Sequence, residues 1–184
     1  RAKRRTMDGY YPELLAAFVR GRLGLPEGED DPGRLLELGR REGLRLHKFK
    51  TTELPRVRKA LGILQGLAPA SLLDVGCGRG TFLWPLLDAL PELPVTAEDV
   101  SPQRVTDADA VRRGGVGRLT ALAASVLDLP FPDGAFDGVT VLEVIEHLEE
   151  PERGLREALR VAGRFVLVSV PSKPDDNPEH LHFF

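Results

Sequence analysis

Leu72-Leu73-Asp74-Val75-Gly76-Cys77-Gly78-Arg79-Gly80-Thr81-Phe82-Leu83 decides the fold of this chain. A short apolar run stops at glycines 76, 78 and 80, and helical spacing takes over from Thr81 to Leu90. Such a run, bounded by turn residues, reads as a strand buried on both faces, the kind found in parallel sheets. Glycine is required where the backbone takes positive φ or lets a ligand come close. In a doubly wound sheet this first turn is where a nucleotide-like ligand binds. The spacing is Gly-x-Gly-x-Gly, not the Gly-x-Gly-x-x-Gly of dinucleotide folds. Asp74 sets a carboxylate beside the turn, where it would repel phosphates. That favours an adenosyl group with a charged amino-acid tail over a pyrophosphate.

Outward from this stretch, strand and helix alternate. Val95-Thr96-Ala97-Glu98 reads as strand, 102–113 as helix, 119–123 and 136–142 as strands, 151–161 as helix and 164–170 as strand. The alternation predicts parallel βαβ units with right-handed crossovers. Before Pro69 the texture is helical, with predicted helices over 8–24, 33–42 and 53–66. We expect two regions: a helical extension or lid over 1–68, and an α/β core over 69–184 with a Rossmann-like open parallel sheet. At the end of the second strand, Glu98-Asp99-Val100-Ser101-Pro102 offers an acid for ribose hydroxyls, about twenty residues after the glycines. Asp99, at the strand tip, is preferred, and Ser101 is the better helix cap.

The run from Leu72 to Val170 resembles the class I S-adenosylmethionine (SAM)-dependent methyltransferases. The glycine turn resembles their SAM loop, Asp99 matches their ribose acid, and Leu127-Asp128-Leu129-Pro130-Phe131-Pro132-Asp133-Gly134-Ala135-Phe136-Asp137 looks like the stretch that precedes their fourth strand. The resemblance implies sheet order 3-2-1-4-5 and a SAM site lined by Asp74, Gly76, Cys77, Gly78, Gly80, Asp99, Val100, Ser125, Val126 and Glu143. It also implies a departure: many relatives carry an acid near the adenine amino group where this chain has Ser125, with Asp128 three residues on. Cys77 reads as a small apolar filler of the loop rather than a nucleophile.

Glu143-Val144-Ile145-Glu146-His147 follows the fourth strand. Turned as a helix, it would put Glu143, Glu146 and His147 on one face. His147 is the first candidate base, followed by Glu146 and His180. The cluster is also similar to the metal site of the small-RNA 3′-terminal ribose 2′-O-methyltransferases. That likeness implies a divalent metal on Glu143, Glu146, His147 and His180, with His180 aligning better than His182. Three readings stand side by side: a methyltransferase for a small molecule or protein, a metal-dependent RNA ribose methyltransferase, and a SAM-binding domain without turnover.

Composition bounds these readings. The 184 residues are 42% hydrophobic and 29% charged, enough for one core, and no stretch approaches the ~20 apolar residues of a membrane helix. Net charge is −3, so a globally basic nucleic-acid footprint is absent. Local basic clusters remain, at Arg1 to Arg5 and around His47-Lys48-Phe49-Lys50, and Lys48 and Lys50 would suit an anionic acceptor. The single cysteine excludes an internal disulfide, and a cytoplasmic location is expected. Phe49 to Thr52 are placed within reach of SAM, and Ser169 to Asn177 along a polar acceptor site. The chain starts without Met and stops before the helix and hairpin that the family adds after strand five. A fragment, or an edge covered by a partner or by the N-terminal helices, is therefore expected.

Overall fold

The computed structural model describes residues 9–26, 31–51, 54–171 and 180–182. Five parallel strands form one sheet: β1 Leu72–Val75, β2 Val95–Asp99, β3 Leu119–Ala123, β4 Phe136–Leu142 and β5 Ala162–Ser169. Their order is β3-β2-β1-β4-β5, as the resemblance implied. Register fixes the centre: Asp74 of β1 lies between Ala97 of β2 and Thr140 of β4. The strand order reverses at β1, so the crevice between β1 and β4 opens at the strands' carboxyl ends, where open α/β sheets bind ligands.

The helices are α1 Pro12–Leu23, α2 Pro32–Arg41, α3 Pro55–Leu67, α4 Leu83–Ala89, α5 Pro102–Arg113 and α6 Pro151–Val161. All of them except α4 begin with proline, where the missing N–H costs nothing and the fixed φ suits a helix. Successive residues of β1 face opposite layers: Leu72 joins the apolar cluster of α1 to α5, and Leu73 joins the cluster under α6. The N-terminal helices are part of the first cluster. Leu15, Val19, Leu35 and Phe49 are fully buried with Leu83 and Leu86 of α4. Along the α1–α5 seam, Gly21 and Gly114 face backbone so closely that a Cβ on either would lie under 2 Å from a carbonyl oxygen of the other helix.

Several boundaries shift by one or two residues from the sequence reading, and three differences have a visible cause or consequence. The first helix starts at Pro12 rather than residue 8, because Tyr10 pairs with Lys50 in an antiparallel bridge. The last strand starts at Ala162, since Phe136 pairs with it ahead of an irregularity before Gly138. Residues 143–147 do not make a helix. Only Ile145–His147 turn, as a 3₁₀ turn, and Glu143 stands before it at φ 57°. A second 3₁₀ turn, Leu46–Phe49, falls between the predicted helices. The expected roles of Arg1–Arg5, Thr52 and Ser172–Asn177 fall outside the described residues. Among the described residues no helix is long and apolar enough to cross a membrane.

Candidate functional site

β1 ends in the glycine turn, which is tied to β2 by three hydrogen bonds. Cys77 N–H donates to the Glu98 carbonyl at 2.9 Å, Gly76 N–H to Glu98 Oε2 at 3.2 Å, and Gly78 N–H to Asp99 Oδ2 at 2.8 Å. Two glycines are sterically required. A Cβ at Gly80, which has φ 84°, would meet the Trp84 indole at 2.0 Å, and one at Gly76, with φ 66°, would meet Val144 at 2.5 Å. Trp84 is held by its own N–H, which donates to the Arg79 carbonyl at 3.0 Å. Packing and hydrogen bonds within the chain thus hold the turn.

A cleft of about 490 Å³ opens beside this turn. Gly76, Gly78, Glu98, Asp99, Val100, Ser125, Val126, Glu143 and His147 all line it. Most of the expected SAM-site residues therefore share one cleft. Asp74 and Cys77 line a smaller adjoining cleft of about 180 Å³, with Gly76, Gly78, Glu143, Arg56 and Arg79. Gly80 is buried behind the turn. Asp99 is buried, and its Oδ1 accepts the Ser101 N–H at 2.8 Å. With Gly78 on Oδ2 and Arg104 at 3.4 Å, the carboxylate is fixed in place yet keeps acceptor capacity.

Three buried acids crowd the turn: Asp74, Glu98 and Asp99. Burial pushes the Asp74 carboxyl up to about 7, against the Thr140 hydroxyl that donates to Oδ1 at 2.8 Å, and Asp99 adds to the rise. Burial also pushes Glu98 up to about 7, against the Gly76 N–H, with Asp99 and Asp74 adding. Asp74 Oδ2 is buried and has no hydrogen-bond partner. A pocket of this kind gains from a cationic ligand, which would replace the protons. Burial, and then the same acids, push the Cys77 thiol far up, so it stays neutral, as a filler should.

The resemblance puts Ser125 where many relatives carry an acid. Ser125 Oγ accepts the Leu127 N–H at 3.2 Å, and Asp128, exposed, is not among the residues lining the cleft. Exposed Val100 and buried Val126 supply apolar walls.

At the end of β4, Glu143 takes a left-handed backbone that a non-glycine residue adopts only where its surroundings hold it. Its N–H donates to the Ser169 carbonyl at 2.9 Å, and its Oε1 accepts the Ser169 hydroxyl at 2.7 Å. Donor atoms of Glu146, His147 and His180 lie within 4.8 Å of one another. Glu143 is outside that group, because its left-handed turn breaks the helical spacing that would have aligned it. The Glu146 side chain is fully buried, and neither carboxylate oxygen has a hydrogen-bond partner. Burial raises its pKa, the nearby Glu143 adds to this, and the two histidines oppose it. Leu181 N–H donates to the Glu146 carbonyl at 2.7 Å, which brings His180 to this place.

Sequence reasoning missed Arg56, Arg104 and Thr140 as site residues, and it set Ser169 along the acceptor site rather than beside Glu143. Thr140 and Ser169 lie far from the glycine turn in sequence, and only the topology brings them there. Lys48 and Lys50, expected to face an anion, are otherwise engaged. Lys48 pairs with Asp107 and lies over the Phe18 ring, and Lys50 lies over Tyr10.

Comparison with known proteins agrees with this geometry. A sequence profile described as "Methyltransferase domain" matches residues 73–166, half of the chain. Ajmaline N-methyltransferase of Rauvolfia serpentina is 35% identical over 106 residues, covering 56% of this chain and 36% of that protein. Demethylmenaquinone methyltransferase of Thermus thermophilus is 32% identical over 120 residues, covering 64% of this chain and 54% of that protein. The chain thus spans about half or less of the length of these relatives. The crystal structure of a SAM-dependent methyltransferase from Aquifex aeolicus shares the fold, with a TM-score of 0.53 at 22% identity, covering 69% of this chain and 78% of that one.

Proposed function

The chain belongs to the methyltransferase-domain family, and on that premise we propose that it binds SAM around Gly78 and transfers the methyl group to a polar small molecule. The observation that carries this reading is the cleft lined by the glycine turn, the buried Asp99 and two apolar valines, with the buried acid Asp74 in the smaller cleft that adjoins it. In this reading Asp99 takes the ribose hydroxyls, and Val100 and Val126 flank the adenine. Asp74 faces the tail's ammonium group, and Arg56 its carboxylate. SAM supplies an already activated methyl group, so the protein's part is chiefly to position the acceptor, worth up to ~7–11 kcal/mol in favourable cases. In this reading His147, exposed on the cleft wall, takes a proton from the acceptor as the new bond forms. The small-molecule acceptor class is supported by relatives named for ajmaline and demethylmenaquinone. The helices before Pro69 would then wall the acceptor side.

A second reading has one observation in its favour. Glu146, His147 and His180 offer a carboxylate and two imidazoles within 4.8 Å, and the buried Glu146 oxygens have no hydrogen-bond partner. This donor set fits a divalent ion such as Mn²⁺ or Zn²⁺. The ion would hold and acidify a hydroxyl acceptor. The RNA-ribose version of this reading gains no support from the relatives.

One experiment tests both. Labelled SAM is incubated with the protein and pools of small-molecule acceptors, with Mn²⁺ or with EDTA. The expected result is label transfer that EDTA leaves unchanged, and that His147→Ala cuts by about 100-fold, within the range for a lost general base. Transfer that needs Mn²⁺ would favour the metal reading, and no transfer to any pool would count against the small-molecule reading.

A further inference from the structure

Next to the cofactor cleft lies a second cavity of about 580 Å³, between the N-terminal helices and α5. Gly78 and Arg104 line both, so the two open on the same part of the glycine turn. Its wall carries five cationic side chains (Arg22, Arg45, Lys48, Arg79 and Arg104) and one carboxylate, Asp107. Lys48 is neutralised by Asp107, and Arg104 by Asp99. The remaining three come from separate segments. Arg22 is near the end of α1, Arg45 precedes the turn at Leu46–Phe49, and Arg79 is in the glycine turn.

These three differ from most arginines of the chain. Surface arginines on α2, α5 and α6 have carboxylate partners, for example Arg40 with Glu37, Arg113 with Asp109 and Arg153 with Glu150. Among the arginines of the described residues, only Arg22, Arg45, Arg56, Arg58 and Arg79 have a side chain with no hydrogen bond or ion pair. Three of these five line this one cavity, in a chain whose net charge is −3. Like charges around a concave opening repel one another and concentrate a positive field there, until an anion enters. Guanidinium groups present paired N–H donors that match the oxygens of a phosphate or carboxylate. Trp84, Phe18 and Leu44 add apolar surface for the body of a ligand.

We infer that this cavity binds an oxyanion group, a phosphate or a set of carboxylates, of the methyl acceptor. The inference rests on the methyltransferase reading for the word acceptor, but the anion site itself does not.

The test is calorimetric titration of the full chain with inorganic phosphate in one arm and citrate in the other. Each arm is run with and without S-adenosylhomocysteine. The expected result is saturable one-site binding of at least one probe, weakened about tenfold or more by R22Q/R45Q, since each lost charge-assisted contact costs more than a neutral one. R58Q, which removes an unpaired arginine outside the cavity, should change the affinity by less than about twofold, as screened surface charge does. If the double variant fails to fold, R22Q and R45Q are tested singly, with about threefold losses expected on the same ground. Tighter phosphate binding assigns a phosphate ester, and tighter citrate binding a polycarboxylate. Binding of neither probe, or equal binding by wild type and R22Q/R45Q, overturns the inference. If S-adenosylhomocysteine binds while neither anion does, only the anion site fails. If an anion binds while S-adenosylhomocysteine does not, the methyltransferase reading fails instead.

Discussion

Replacing Asp99 by alanine is expected to weaken S-adenosylhomocysteine binding by about 100-fold, the equivalent of one or two hydrogen bonds to a charged group at about 1.5–3 kcal/mol each. The carboxylate is buried and has two jobs. It receives the Gly78 and Ser101 N–H groups, which fixes the turn, and in the proposed reading its remaining lone pairs take ribose hydroxyls. Alanine removes both and leaves two backbone donors without their acceptor. Asp99→Asn keeps the shape but turns one acceptor into a donor facing an N–H, so an intermediate loss is expected. Fluorescence or calorimetric titration reads both variants, with circular dichroism as the check on folding. An Asp99→Ala protein that binds as tightly as wild type would remove Asp99 from the ribose role.

The second large effect is on pH. Asp74 and Glu98 both sit near 7 in the folded protein, against ordinary values of 3.8 and 4.5. Between those limits the folded protein holds more protons than the unfolded chain. The stability these two acids confer is therefore fully present below about pH 4 and lost as pH rises through about 7. SAM reverses the balance, because its sulfonium and ammonium groups favour the ionised acids. Below pH 7 each proton displaced contributes up to a factor of about ten per pH unit, so from pH 5.5 to 8 SAM affinity should rise by about 30-fold for one displaced proton and by up to about 1000-fold for both. S-adenosylhomocysteine lacks the sulfonium charge and should show a shallower rise. Glu98→Gln removes one titrating group and should flatten the SAM profile. A SAM affinity independent of pH would show that neither acid titrates against the ligand.

Much of the fold is legible in the order of residues alone. The alternation after Pro69 specifies the parallel sheet, because strand and helix periods differ so plainly. Asp99 can be placed because a strand tip and its distance from the glycines are both sequence properties. Residues 143–147 show where such reading fails. The helical spacing of Glu143, Glu146 and His147 is real in sequence, but Ser169 on β5 holds Glu143 in a left-handed turn instead. A partner 26 residues away leaves no local signal. The same holds for Lys48, whose charge is taken up by Asp107 across 59 residues. The three arginines that line the second cavity come from three segments, and only the tertiary fold brings them together.

The most direct test of the central claim is calorimetric titration of the full chain with S-adenosylhomocysteine at about pH 8, where both acids are ionised. Binding of one molar equivalent, with a rise in melting temperature that grows with ligand concentration, is the predicted result. Absence of both heat and thermal shift would contradict the assignment of the Gly78 cleft as a SAM site.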